Sequence, residues 1–565
     1  MSRVSHLLFL CLFALSAAMA QSPNLLLMIG DDMGVDSIGC YQRGTNPPPT
    51  PNLDAMAANG IRFTRATVCP TCSPTRACIQ TGRYPLRTGV GFALGGNTQG
   101  LQASEVILPE VLAGSGYGLA LIGKWHLGNA QGAATPNMAG WPHFVGNLQG
   151  ALQSYTNWQK ITNGVSAVET AYATTETVDE ALAWLAGRPQ PWCLMVCFNA
   201  AHTPLHEPPA GLHTYNLGGL NPNTTPVPFF KAMVQSMDSE IGRLLTGIGG
   251  ATLANTNVVF VGDNGTTAQT TRTPFIPGHA KGTLYQGGVE VPLLVQGPAV
   301  VRPGRVSDAL VDGVDLFVTA AALCGVDARA TVPANVPLDG RDLRPLLADT
   351  ATSVRSYSYT EQFGSTAGDG QAIADTRYKL IRFDSGTMEL YELPVDPFEG
   401  TDLLAAPLSA SAAAALVDLQ VQLAVLRGEA LATAFGAACT GLPASLATMT
   451  GAPTLGDPHL VRATTTVAGA VAAFGALGLS NDQVAGMPLP LSLATYGAPG
   501  CDLWVSLDAF VGIVLGPTAA LWNEVIPSSG VLLGLPFYQQ VVFAVPGVNS
   551  AGVLVTNALA CVVGP

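Results

Sequence analysis

The sequence predicts an α/β protein built on a large, mixed but mostly parallel sheet, followed by a small C-terminal α+β subdomain and an appended all-β domain. Three observations predict it. From Asn24 to about Leu323, short apolar runs alternate with helical patterns, as a parallel sheet with crossover helices requires. The stretch Ser353–Leu393 is strand-rich and leads into a helical segment, Ser409–Leu426. Composition then breaks near Cys439: residues 440–565 carry one Arg, no Lys and five acids, and Gly and Pro punctuate short apolar or alternating stretches such as Val531–Val545.

Taken in order, the chain opens on an address rather than on structure. Arg3 supplies a positive start, Leu7–Leu15 an apolar core and Ala18-Met19-Ala20 a small-x-small cleavage site, so residues 1–20 read as a signal peptide and the mature protein as periplasmic or extracellular. Strands are expected at Asn24–Ile29, Leu119–Ile122, Trp192–Phe198, Val258–Val261 and Val291–Val295. Helices are expected at Pro51–Ala58, Thr174–Ala186, Phe229–Thr246 and Leu310–Cys324. These elements divide the chain into an α/β domain over 21–350, a subdomain over 351–435 and a β-sandwich over 440–565.

Composition excludes several classes of function. With 25 Lys+Arg against 38 Asp+Glu, a net charge of −13 and no basic run, nucleic acid is not a partner. A charged content of 11% and a mean hydropathy of +0.33 raise the question of a membrane. No membrane span follows: Ala463–Asn481 is charge-free but holds three Thr and three Gly, and Val525–Pro565 is broken by Pro527, Pro536 and Pro546. Export implies an oxidising compartment. Cys193 and Cys197 lie on one strand about 13 Å apart, so they cannot bridge each other.

Four of the five strands end in a polar cluster. Gly30-Asp31-Asp32 follows the first, Gly123-Lys124-Trp125-His126 the second, Asn199-Ala200-Ala201-His202 the third and Gly262-Asp263-Asn264-Gly265 the fourth. Singly, each reads as a turn, a cap or a structural histidine. In open α/β sheets, however, ligands bind beyond the carboxyl ends of the strands, and here acids, an amide, cations and imidazoles share one mouth.

The distinctive segment is Cys72-Ser73-Pro74-Thr75-Arg76, continuing to Thr81-Gly82-Arg83. Ser73 before Pro74 reads as an N-cap with proline at the first helical position, and Gly82 as the helix end. Cys72 would then sit at a helix N-terminus, which favours an anion, with Arg76 in the first turn. This Cys-x-Pro-x-Arg pattern resembles the signature of the type I sulfatases, in the alkaline phosphatase-like superfamily. Gly123–Gly128, His202-Thr203-Pro204, Gly262–Gly265, Lys281–Gly288, Tyr378-Lys379-Leu380 and Glu389–Leu393 with Asp396-Pro397 match in the same order, over about residues 23–430.

The resemblance implies an alkaline phosphatase-like sandwich and an exported sulfatase acting on an organic sulfate monoester, aryl or carbohydrate. It implies that Cys72 is oxidised to formylglycine by a formylglycine-generating enzyme. It also implies that Asp31, Asp32, Asp263, Asn264 and position 72 surround one metal ion. Carboxylates and an amide oxygen suit hard Ca²⁺, preferred here to Mg²⁺. Asn264 stands where two-zinc phosphatase relatives often place His. By the same resemblance Lys124 and Lys281 bind sulfate oxygens and Arg76 steadies the formylglycine. One hydroxyl of its hydrate attacks sulfur while His202 protonates the leaving alcohol; His126 then deprotonates the second hydroxyl, expelling sulfate and restoring the aldehyde. The partner is thus a sulfated small molecule or glycan. A formylglycine-dependent phosphonate or phosphodiester hydrolase, and an inactive sulfatase-like binding protein, are the alternatives.

Other residues do not transfer. His206, His213 and His279 read as loop residues, Cys69 and Cys78 as packing or disulfide positions, and Trp504 and Trp522 as core. No residue of Trp141–Tyr155 aligns clearly enough to assign. The β domain would make cell-surface or glycan contacts.

Overall fold

Successive side chains on each central strand are buried on opposite faces of the sheet. On Asn24–Gly30, Leu25, Leu27 and Ile29 join one core while Leu26 and Met28 join another, which explains the uninterrupted apolar run. The computed structural model describes residues 22–95, 100–365, 368–516 and 519–565, so the expected signal peptide lies outside the described residues.

The large sheet has ten strands. Its centre runs Thr256–Gly262, Asn24–Gly30, Trp192–Cys197, Gly118–Lys124 and Phe144–Asn147, all parallel. Antiparallel pairings then carry it to Glu290–Gln296 and Gly60–Thr67 on one side and to Trp158–Thr162 and Val165–Glu169 on the other. Arg305–Asp312, parallel to Gly60–Thr67, closes the first edge. The sequence expectation of one helix over Leu310–Cys324 is corrected here: residues to Asp312 are strand, and the helix is Asp315–Leu323. The Asp315 carboxylate accepts the Asp312 N–H (2.8 Å), turning the chain between the two elements.

The subdomain is a four-stranded antiparallel sheet, Ser358–Gln362, Gly370–Ala374, Tyr378–Phe383 and Met388–Glu392. The helix Ala410–Arg427 packs Leu419 and Leu423 against Leu380 and Leu390 of this sheet. Its opposite stripe, Val417, Val421 and Ala424, meets Ala558, Ala560 and Val562 of the tail. Contact with two sheets accounts for its being long and apolar enough to cross a membrane by composition.

The tail is all β: an eight-stranded sheet starts at Leu431–Phe435 and ends at Ala444–Thr448. Its two ends are tied where Asn557 accepts the Leu446 N–H (2.7 Å) and Trp522, Phe543 and Leu554 fill the core. Leu431–Phe435, placed on sequence in the preceding subdomain, pairs with the final strand Val553–Val562. A disulfide joins Cys439 and Cys501, closing the tail's first loop onto its middle. Trp522 is buried, whereas Trp504 is half-buried over Gly436 with its N–H on the Ala437 carbonyl (3.0 Å).

Candidate active site

The strand-end residues and Cys72 converge. Asp31 and Asp32 leave Asn24–Gly30, Lys124 ends Gly118–Lys124, and Asp263 and Asn264 follow Thr256–Gly262. His126 and His202 come from the loops after the second and third expected strands, and Lys281 from the loop before Glu290–Gln296. Ligand atoms of Asp31, Asp32, Cys72 and His202 all lie within 4.8 Å of one another.

Cys72 is the first residue of the helix Cys72–Thr81; Thr71 before it is extended, and its hydroxyl makes no capping bond. The expected cap, Ser73, is instead inside the first turn, and its hydroxyl accepts the Leu94 N–H (3.0 Å). Pro74 is accommodated because first-turn N–H groups have no intrahelical partner in any case. Gly82 ends the helix in the left-handed region, φ 69°, as expected. Thr75 pins the approach by hydrogen bonds to the N–H (3.0 Å) and carbonyl (3.2 Å) of Cys69. The Cys72 thiol lies 3.6 Å from an Asp31 oxygen and 3.7 Å from Lys281 Nζ. Burial pushes it up to about 12 against the pull of Lys124 and Lys281.

Around it, charges are paired. Lys124 contacts Asp31 and Lys281 contacts Asp32. Arg76 donates from Nε (3.0 Å) and a terminal nitrogen (2.8 Å) to one Asp263 oxygen, and from the other nitrogen to the Lys124 carbonyl (2.9 Å). Its closest partners are therefore the carboxylate set and the Lys124 backbone. Burial alone would raise Asp32, but Lys281, His202 and the Asn264 amide outweigh it and hold the carboxyl well below its usual range. The Asn264 amide nitrogen donates to Asp32 (2.9 Å), while its side-chain oxygen is buried with no hydrogen-bond partner. Buried carboxylates plus one unsatisfied amide oxygen fit a hard divalent cation.

The two imidazoles differ. His126 Nε2 faces the Leu94 carbonyl (3.1 Å) and must donate to it, leaving a buried Nδ1 lone pair without a partner. Burial, with Lys124 and Arg76 nearby, lowers its pKa well below 6.5, so it is neutral at neutral pH. The unfolded chain protonates this ring below about 6.5, so the unfolded state binds more protons and stability falls as pH drops through that range. Thermal melts from about pH 7 to about pH 5 should therefore show a smaller loss of Tm for His126→Gln than for the wild type. Parallel losses would remove His126 as the source.

His202 donates from Nδ1 to the Thr203 carbonyl (2.9 Å) and turns Nε2 toward Asp32, 3.9 Å away. Sequence reasoning missed what holds it. The buried hydroxyl of Tyr155 lies 2.6 Å from the Asn199 carbonyl and 2.8 Å from the His202 carbonyl, clamping both ends of the turn. A residue acting on backbone carbonyls leaves no side-chain pattern; the one available signal was its place in the unaligned Trp141–Tyr155 segment.

The remaining candidates are structural. His206 contacts the Tyr172 hydroxyl (3.2 Å), His213 the Pro208 carbonyl (3.1 Å), and His279 stacks on Tyr285 at 3.6 Å. Cys69 and Cys78 are buried free thiols 3.7 Å apart; Cys193 and Cys197 are also free.

The family model described as Sulfatase matches residues 23–326, and that described as N-sulphoglucosamine sulphohydrolase, C-terminal, matches residues 279–426. Human (Homo sapiens) arylsulfatase A is 32% identical over 453 residues, covering 70% of this chain and 86% of its own length. Pig (Sus scrofa) N-acetylgalactosamine-6-sulfatase is 30% identical, covering 60% and 68% respectively. Among solved structures, Ps i-CgsB in complex with k-i-k-neocarrahexaose has a TM-score of 0.62 at 25% identity, covering 72% of this chain and 93% of that one.

Proposed function

We infer, from the premise that the chain belongs to the sulfatase family and is a sulfuric ester hydrolase, that it is exported and cleaves a carbohydrate or aryl sulfate monoester at a formylglycine derived from Cys72. The observation that carries this reading is the set of carboxylates and lysines gathered with His202 around Cys72, ligand atoms of Asp31, Asp32, Cys72 and His202 lying within 4.8 Å of one another. A carbohydrate is favoured by relatives: one is named for N-acetylgalactosamine 6-sulfate, and a similar structure holds a neocarrahexaose.

Asp31, Asp32, Asp263 and Asn264 would hold Ca²⁺, which supplies positive charge to the sulfate oxygens. A formylglycine hydrate supplies one hydroxyl to attack sulfur and a second through which sulfate is later expelled, restoring the aldehyde. Lys124, paired with Asp31, and Lys281, paired with Asp32, bind the sulfuryl oxygens, where charge is largest. Arg76 fixes Asp263 and the Lys124 backbone together, so metal ligand and sulfate ligand keep one spacing. His202, held by Tyr155, presents Nε2 to the leaving oxygen and as the imidazolium gives its Nε2 proton there, keeping Nδ1–H on the Thr203 carbonyl. Neutral His126 takes a proton on Nδ1 in the second step, and its low basicity keeps that lone pair free near neutral pH.

Paired assays test the reading. Wild-type protein should hydrolyse 4-nitrophenyl sulfate with kcat/KM at least about a hundredfold above matched phosphodiester and phosphonate esters. A preference for the phosphorus esters would overturn it.

A further inference from the structure

A cavity of about 460 Å³ lies between the loop after Gly118–Lys124, the loop after Phe144–Asn147 and the hairpin of Trp158–Thr162 and Val165–Glu169. Its volume falls within the roughly 300–1,000 Å³ of small-molecule sites. Buried Leu152, Trp158 and Ile161 form its floor, and exposed Gln149, Gln153 and Gln159 rim it. None of its described lining residues is charged. The Trp158 N–H is taken by the Ala171 carbonyl (3.1 Å), so the indole offers the floor hydrocarbon surface.

One wall of this cavity also builds the candidate active site. Asn147 is the register partner of Lys124, and the His126 N–H donates to the Leu148 carbonyl (3.2 Å). Gly150 then crosses the His126 imidazole so closely that a Cβ there would lie 2.5 Å from the ring. Only glycine permits that approach, and its chain neighbours Gln149 and Ala151 both line the cavity. The same loop ends at Tyr155, the clamp on the His202 turn. A single segment therefore meets the His126 ring at Gly150, holds the backbone of the His202 turn at Tyr155 and lines the cavity, which puts the cavity beside His126.

We propose that this cavity is a subsite for an unsulfated hexose ring joined to the sulfated residue of the substrate, a proposal that rests on the sulfatase reading above. Side-chain amides donate and accept together, which matches the vicinal hydroxyls of a sugar. The apolar floor matches the C–H face of the ring. A second sulfate would find no cation here and would lose hydration without compensation. The occupant is thus neutral, and the natural ester is a sparsely sulfated oligosaccharide rather than a dense polyanion, consistent with a chain of net charge −13.

The test compares galactose 6-sulfate with a galactose-based trisaccharide carrying one 6-sulfate at its reacting end. Wild-type kcat/KM should be at least about tenfold higher for the trisaccharide, chiefly through KM. In Gln149→Ala/Gln153→Ala the ratio of the two values should fall toward one. The unsulfated trisaccharide should also inhibit wild-type hydrolysis of 4-nitrophenyl sulfate competitively, which keeps the proposal testable should the double variant fail to fold. Equal wild-type values, no inhibition by the neutral sugar, or faster turnover of a fully sulfated trisaccharide would overturn the subsite while leaving the sulfatase reading standing. Absence of turnover on every sulfate ester would overturn both.

Discussion

Cys72→Ala protein is expected to lose at least about 10⁴-fold in kcat on 4-nitrophenyl sulfate while keeping its fold and its melting temperature within a few degrees. The side chain is buried at the first turn of a helix, between Asp31 and Lys281, where truncation of one thiol removes little packing. What disappears is the group that lies against Asp31 and Lys281. Cys72→Ser separates two halves of the mechanism. A lone hydroxyl can attack sulfur and release one alcohol per enzyme, but it has no second hydroxyl through which to expel sulfate. A burst of product equal to the enzyme concentration, followed by arrest, is the expected trace. Mass analysis of the tryptic peptide Ala66–Arg76 from active wild-type protein should find an aldehyde at position 72. Full activity in protein carrying only the unmodified thiol would end the formylglycine reading.

The strand-end motifs were readable for a physical reason. Strands buried on both faces must be apolar at every residue, so the first polar residues after Ile29, Ile122, Phe198 and Val261 mark where each strand leaves the core. Asp31, Asp32, Lys124, His126, His202, Asp263 and Asn264 follow those points, and the helix Cys72–Thr81 and the loop before Glu290–Gln296 bring Cys72, Arg76 and Lys281 against Asp31, Asp263 and Asp32. The edges were not readable. Gly60–Thr67, the strand next to the edge, carries Arg62, Thr64 and Arg65, and the edge strand Arg305–Asp312 carries Ser307 and Asp308; such polar residues toward the margin of the sheet break the apolar signature. Phe144–Asn147 is four residues long and gives periodicity too little to work on. Composition likewise could not assign Leu431–Phe435, because its partner Val553–Val562 stands at the far end of the chain. Tyr155 was hidden differently: its role is set by two carbonyls about which its own residue type says nothing.

Removing divalent metal with EGTA is expected to cut activity by at least about 10³-fold, with recovery on adding back Ca²⁺. The charge balance of the site argues for it. Asp31, Asp32 and Asp263 are buried against Arg76, Lys124 and Lys281, so carboxylates and cations cancel and the pocket by itself is no receptor for a sulfate ester. With Asp31, Asp32 and Asp263 holding a divalent cation, the pocket would be net positive and Lys124 and Lys281 would be available to the sulfate. KM should therefore rise along with the loss in kcat. Asp263→Asn probes the same balance from the protein side. Its oxygen accepts two Arg76 donors, and neutralising it strands a buried guanidinium at a cost of about 3–5 kcal/mol in stability. The wild type should melt at a higher temperature when Ca²⁺ is added, since a ligand bound only by the folded state stabilises it. In Asp263→Asn that rise should shrink or vanish, together with turnover. A variant that kept both its calcium-dependent melting shift and its activity would show that Asp263 is not a metal ligand, whatever its distance from Asp31 and Asp32.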